Sequence, residues 1–119
     1  MISLEQILSV LRGELQKTDL IPMEEFKQLF DKVVNSKTIE EKIEKNTDAM
    51  CRILIASDNP MEAVAIYMMK NKMKEISKED LVLLYASFNF IYVDLMEKVK
   101  NMRVYIVCRN SQESDWYVA

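Results

Sequence analysis

Apolar residues recur three and four positions apart along most of this chain, and this period places their side chains on one face of a helix. The first such stretch follows Ser3, which can form a capping box with Gln6 because each side chain satisfies the other residue's backbone N–H. Later stretches begin at similar signals: Pro22, Thr38 with Glu41, Asn59 before Pro60, and Ser77 with Asp80. The pattern predicts a mainly α fold, a compact bundle of about five helices.

The period changes to two near the end of the chain. From Met102 to Arg109 β-branched and aromatic residues alternate, which predicts a strand, and residues 116–118 look like a returning strand. A lone hairpin is marginally stable in water, so we expect it to dock on the helices, to pair with another chain, or to begin a small β domain. The predicted organisation is a helical bundle domain over residues 1–101 and short β strands over residues 102–119.

The last predicted helix has more apolar residues than one face can hide. Its main stripe runs from Leu81 to Val99. Four further apolar residues fall outside that stripe: Leu83, Phe90, Val93 and Met96. The helix before it, from Ala63 to Met69, is apolar nearly all round and rich in methionine, a residue that suits adaptable interfaces. This surplus predicts a protein partner, since large exposed apolar patches mark interaction sites.

Amino-acid composition argues against several classes of enzyme and metal site. The chain contains no histidine, which removes the usual general base at neutral pH and most zinc sites. One glycine cannot build a phosphate-cradling loop, and the neighbouring carboxylates lie where first turns of helices are expected, where they favour the helix dipole. We therefore expect no enzyme, no metal and no cofactor.

Charge and cysteine content bear on location and partners. The formal net charge of −3 gives no general basic field for nucleic acid. Two separated cysteines do not suggest a disulfide framework, and neither a signal peptide nor a membrane span is visible. We expect a cytoplasmic protein, or a nuclear one in a eukaryote, that is not secreted.

Three lysines near the end of the fourth predicted helix are candidate phosphate contacts: Lys70, Lys72 and Lys74. The same residues also suit compensation of the helix dipole, because cations are favoured at helix C-termini. No aromatic residues are interleaved with them to stack bases, so binding of nucleic acid stays uncertain.

One stretch of sequence resembles a known family. Residues 4–30 contain LEQILSVLRGELQK, a short link and LIPMEEF, with a basic–acidic pair at Arg12 and Glu14. Residues 76–81 followed by Leu84 and Tyr85 are similar to the start of a last helix in the same family. These features resemble the GINS family of archaeal and eukaryotic replication-fork subunits, in the subgroup whose helical domain precedes a small β domain.

The resemblance implies a scaffold and no catalytic residue. A GINS assembly is a tetramer, built in archaea from one or two kinds of subunit. It bridges the replicative helicase to a RecJ-like partner and contacts primase or polymerase. The interface candidates are aromatic, arginine and methionine residues, since such residues suit interfaces. They are Arg12, Met68, Met69, Tyr85, Phe88, Phe90 and Tyr92.

Two other functions fit the same composition. One is a small helical effector of a virus or mobile element that binds a host complex and forms a homodimer through its hairpin. The other is a helical nucleic-acid-binding subunit, whose affinity would fall steeply with salt. Homo- or hetero-oligomer formation is expected under the scaffold and effector readings, and no membrane is expected as a partner.

Overall fold

The computed structural model describes the backbone of residues 1–102 and the side chains of residues 1–95 and Glu97. This part of the chain is mainly helical, as predicted. Its elements are β1 (Ile2–Ser3), α1 (Leu4–Leu11), α2 (Lys17–Leu20), α3 (Met23–Val34), α4 (Lys37–Ile55), α5 (Pro60–Lys70), β2 (Glu75–Ile76) and α6 (Lys78–Met102).

Three of the predicted helix starts are confirmed by their hydrogen bonds. The Ser3 hydroxyl accepts from the Gln6 N–H at 3.1 Å and the Gln6 side chain accepts from the Ser3 N–H at 2.9 Å, which completes the capping box of α1. Asn59 accepts from the N–H of Glu62 at 2.8 Å. The Ser77 hydroxyl accepts from the Asp80 N–H at 3.1 Å and starts α6. These caps satisfy N–H groups that a helix start leaves without a partner.

The predicted capping box of Thr38 and Glu41 is wrong. Helix α4 already begins at Lys37, so Thr38 lies inside its first turn, and the N-cap position belongs to Ser36. The Ser36 hydroxyl makes no cap bond and instead donates to the Val33 carbonyl at 2.8 Å, where it finishes α3. The serine hydroxyl thus binds the end of α3 and not the start of α4, because serine side chains can donate to a carbonyl three or four residues earlier as well as accept from a later N–H.

Two short elements were not predicted. The link around Thr18 and Asp19, read as a break, forms the single-turn helix α2, where the Asp19 carboxylate accepts from the Gln16 N–H at 2.9 Å. The strands β1 and β2 pair antiparallel with Ile2 opposite Ile76, and the Leu4 N–H donates to the Lys74 carbonyl at 2.8 Å. This pairing ties the start of the chain to the start of α6.

Helix α6 lies at the centre of the bundle and packs against α3, α4 and α5, while α1 packs against α5. The rings of Phe26 and Tyr85 meet edge to face with centroids 5.7 Å apart, and Phe88 meets Tyr67 in a similar arrangement. Full burial of one such side chain stabilises the fold by roughly 1.5–3 kcal/mol. The core therefore forms around the first half of α6.

Helix α4 is kinked at Asn46, whose backbone leaves the helical region at φ −121° and ψ 17°. The Asn46 amide donates to the Lys42 carbonyl at 3.3 Å, and the Thr47 hydroxyl donates to the Ile43 carbonyl. Side-chain bonds to the carbonyl four residues earlier compete with the helix ladder and bend it. The kink changes the line along which α4 passes α6.

The predicted division of the chain can be compared with the structure only in its first part. Helix α6 continues to Met102, so the helical part runs one residue beyond the predicted boundary at 101. The predicted β strands otherwise fall on residues 103–119, outside the described residues. Within residues 1–102, none of the helices has the length and apolar character needed to cross a lipid bilayer.

Candidate interaction surface

The two halves of α6 differ in how completely the bundle covers them. From Leu81 to Asn89 every side chain is buried except that of Leu83, which is half-buried. From residue 90 onward most apolar side chains reach solvent: Phe90 and Tyr92 are half-buried and Val93 is 36% exposed, while Ile91 stays buried. The surplus of apolar residues noted in the sequence therefore splits, because three packed helices absorb it in the first half and leave part of it open in the second.

The second half of α6 presents two apolar sides. Phe90, Ile91 and Leu95 lie on the side toward α4. Tyr92 and Val93, about 100° apart round the helix axis, lie outside that lining. The first side faces α4 and lines a groove of about 270 Å³, here called the α4–α6 groove. Its lining is Ile43, Thr47 and Cys51 from α4 and Phe90, Ile91, Asp94 and Leu95 from α6.

The other side, Tyr92 with Val93, is here called the outer face of α6. Val93 is one of the few large apolar side chains that the described part of the chain exposes by more than a third. Tyr92 is half-buried and offers an aromatic ring with a polar tip. Such a pair can anchor a second protein, because tyrosine supplies contact area at low entropic cost.

The structure disperses the seven predicted interface residues. Tyr85, Phe88 and Met68 are enclosed by side chains of this chain, so a partner does not reach them in this conformation. Met69 is 50% exposed, at the end of α5. Arg12 is exposed at the end of α1, and Phe90 and Tyr92 lie on opposite sides of α6. Among the four that reach solvent, only Phe90 and Tyr92 share an element. Their interface roles, like those of Arg12 and Met69, stay predictions.

Arg12 is held by its own neighbours. Its guanidinium donates to the Glu14 carboxylate at 3.0 Å and to the Ser9 hydroxyl at 3.1 Å, and lies 3.7 Å from the Glu5 carboxylate. The hydrogen bond and charge of Glu14 raise the pKa of Arg12, and the same bond lowers the pKa of the Glu14 carboxyl. The predicted basic–acidic pair thus forms, and it leaves Arg12 oriented at the surface.

The turn after α1 sets this orientation. Gly13 has a positive φ of 79°, and its N–H donates to the Val10 carbonyl while the Glu14 N–H donates to the Ser9 carbonyl. This is a Schellman turn, in which a left-handed residue closes the helix. Glycine suits the position because a left-handed backbone costs other residues roughly 1–2 kcal/mol.

The candidate phosphate contacts surround a second turn of the same type. Lys72 has φ 55°, and the Lys72 and Met73 N–H groups donate to the Met69 and Met68 carbonyls. Lys70, Lys72 and Lys74 are all exposed there. Lys70 thus ends α5, and Lys72 and Lys74 lie in the loop between α5 and β2. A phosphate role for the three lysines stays a prediction.

A second cleft was missed by the sequence analysis. It has a volume of about 240 Å³ and lies where α3, α4 and the start of α6 meet, with Leu29, Val33 and Leu83 as its apolar floor. Lys32 and Glu79 form an ion pair of 3.6 Å at its rim. Leu83 fell outside the predicted stripe of α6, and this was the one sign of the cleft in the sequence.

Buried polar groups lie beside the core aromatics. The Lys17 side chain is only 4% exposed, with its ammonium 5.7 Å from the centre of the Tyr85 ring. Asn89 is 1% exposed, and its Nδ2 has no hydrogen-bond partner among the described residues. Neither residue was singled out in the sequence, since periodicity does not reveal which polar residue a tertiary contact will bury.

Two further observations concern metal binding and similarity to known proteins. Across residues 1–102, no three His, Cys, Asp or Glu side chains converge in a way that would hold a metal ion. Comparison of the chain with protein-family models, with curated proteins and with solved structures finds no significant match.

Proposed function

We propose that this chain is a non-catalytic interaction subunit that assembles with other protein subunits through the outer face of α6. The observation that supports the proposal is the change along α6, from a stretch between Leu84 and Asn89 in which every side chain is buried to a half-buried Tyr92 and an exposed Val93. Apolar side chains on a single helix face pack against a helix of a partner and lose their contact with water.

The proposed partners are paralogous subunits of a GINS-like assembly that bridges the replicative helicase to its partners, in the cytoplasm or, in a eukaryote, the nucleus. This part of the proposal rests on the sequence of residues 4–30, in which the Arg12–Glu14 pair forms at the end of α1. A chain of this kind performs no chemistry and acts by holding other proteins in place.

A pull-down of the tagged full chain from its native cells, washed at low and at high salt, tests the proposal. Apolar contacts persist at high salt, whereas contacts to phosphate are lost. Recovery of a second GINS-like subunit, helicase or primase at high salt would support the proposal in full. Recovery of one unrelated host complex would replace the GINS role with that of an effector. Recovery of nucleic acid alone, lost at high salt, would point to binding of phosphate by Lys70, Lys72 and Lys74.

Two valines make a matched pair of variants for the same experiment. Val93 on the outer face is 36% exposed, and Val34 at the end of α3 is 38% exposed. Val93→Asp places a charge in the proposed interface, so we expect unchanged circular dichroism and loss of the captured proteins. Val34→Asp adds the same charge elsewhere and keeps them. Equal capture by both variants would remove the outer face from the proposal.

A further inference from the structure

The cleft where α3, α4 and the start of α6 meet, here called the α3–α4–α6 cleft, combines an apolar floor with an acidic rim. Its floor is formed by three half-buried side chains: Leu29, Val33 and Leu83. At the rim, Glu79 is paired with Lys32, whereas the exposed Asp80 carboxylate forms no ion pair with another residue of the described part. The cleft therefore suits an apolar side chain that has a cationic group beside it.

The last turn of α4 exposes such a combination. Ile55 is 54% exposed, the largest exposure of any large apolar side chain described on a helix. Arg52 lies three residues earlier, so it neighbours Ile55 on the helix surface, and it is exposed as well. Its guanidinium makes no ion pair within residues 1–102. An apolar side chain and a cation thus protrude together from the end of α4.

The cleft and the end of α4 lie far apart within one molecule. Thr38 lines the cleft from the first turn of α4, and Ile55 follows 17 residues later in the same helix. At 1.5 Å per residue this separation is roughly 25 Å along a straight helix. The last turn of α4 in one molecule can therefore enter only the cleft of another molecule.

We propose that copies of this chain associate head to tail, with Ile55 of one copy in the α3–α4–α6 cleft of the next and Arg52 beside Asp80. Each pair keeps one empty cleft and one exposed end of α4, so the contact is heterologous and further copies can join as a ring or an open array. Such a contact is small beside the roughly 1,200–2,000 Å² of stable interfaces, so we expect association that depends on concentration. It lies apart from the outer face of α6 and does not rest on the proposed function.

Sedimentation velocity of the purified full chain at rising concentration tests the contact. We expect a monomer in dilute solution and faster sedimentation as the concentration rises. Ile55→Asp places a carboxylate against the acidic rim, so this variant should stay monomeric with unchanged circular dichroism. The matched control, Met69→Asp, alters a side chain that is 50% exposed near the end of α5, and it should associate as the native chain does. A native chain that is monomeric at every concentration, or equal association of Ile55→Asp, would overturn the proposal.

An exchange of charges tests the pairing of Arg52 with Asp80. Arg52→Glu and Asp80→Lys should each weaken association roughly threefold or more, because each replaces an attraction across the contact by a repulsion. The double variant has opposite charges again and should associate nearly as well as the native chain. Both side chains are exposed, so circular dichroism should be unchanged in all three variants. A double variant that associates no better than the single variants would contradict the docking of α4 in this cleft.

Discussion

The two halves of α6 belong to one helix of similar composition, yet the bundle treats them differently. Phe88 and Phe90 are two residues apart; the first is fully buried beside Tyr67, and the second is half-buried between α3 and the α4–α6 groove. Helix α6 packs against α3, α4 and α5, but the α4–α6 groove leaves one side of its second half open. Apolar content alone therefore does not separate core from interaction surface; the neighbouring helices do.

The largest expected effect on stability is in the first half of α6, which is the buried half. Phe88→Ala should lower the free energy of unfolding by about 3–5 kcal/mol, because it removes a fully buried ring and leaves a cavity. Phe90→Ala should cost roughly half as much, since part of its ring is already in water. Urea unfolding of both variants measures the difference. Equal losses would mean that the second half of α6 is as well packed as the first.

A polar residue tests whether the first half is a true core. Asn89 is buried with an amide nitrogen that lacks a partner among the described residues, and such a group costs about 1–3 kcal/mol. Asn89→Leu keeps the number and branching of the side-chain heavy atoms and removes the polar group, so we expect the free energy of unfolding to rise by about 1 kcal/mol. The melting temperature of the variant checks this. A lower value would show that the amide serves a contact that an apolar side chain cannot replace.

Smaller effects on stability are expected away from α6, at the two Schellman turns that follow α1 and α5. Gly13→Ala should destabilise the chain by about 1 kcal/mol through its positive φ alone, since a methyl group there would meet nothing within 4 Å. Lys72→Gly relieves the same backbone cost at φ 55°, so we expect a gain of similar size. Thermal unfolding of the two variants should shift in opposite directions. A shift in the same direction would show that side-chain contacts dominate one of the turns.

The smallest expected effect lies on the outer face. Val93→Ser should change the free energy of unfolding by only about 0.5 kcal/mol, because more than a third of the residue is already in contact with water in the free chain. Chemical unfolding of the purified variant checks this value. A loss near that of Phe88→Ala would place Val93 in the core and would contradict the distinction between the two halves.

Local patterns predicted much of this fold. The caps at Ser3, Asn59 and Ser77 form as expected because their donors and acceptors lie within three residues of each other. The cap at Thr38 failed because Ser36 competes for the start of α4 while its hydroxyl bonds to the previous helix. The pairing of Ile2 with Ile76 could not be read from sequence, since neither two-residue strand has a period of its own.

The candidate surface was predicted only in part. The sequence located the surplus of apolar residues on α6, but it could not say that Tyr85 and Phe88 would be enclosed and that Tyr92 and Val93 would remain accessible. That division depends on where α3, α4 and α5 cross α6, and the crossing in turn depends on features such as the kink at Asn46. Tertiary geometry of this kind has no signal in helical periodicity.

Amide hydrogen exchange along α6, with the full chain alone and in the captured complex, tests the central claim most directly. We expect the amides of residues 81–89 to exchange slowly in both states, and those of residues 90–95 to exchange faster in the free chain and to slow on binding. Slow exchange of residues 90–95 in the free chain that does not change in the complex would contradict the assignment of this part of α6 to a protein interface.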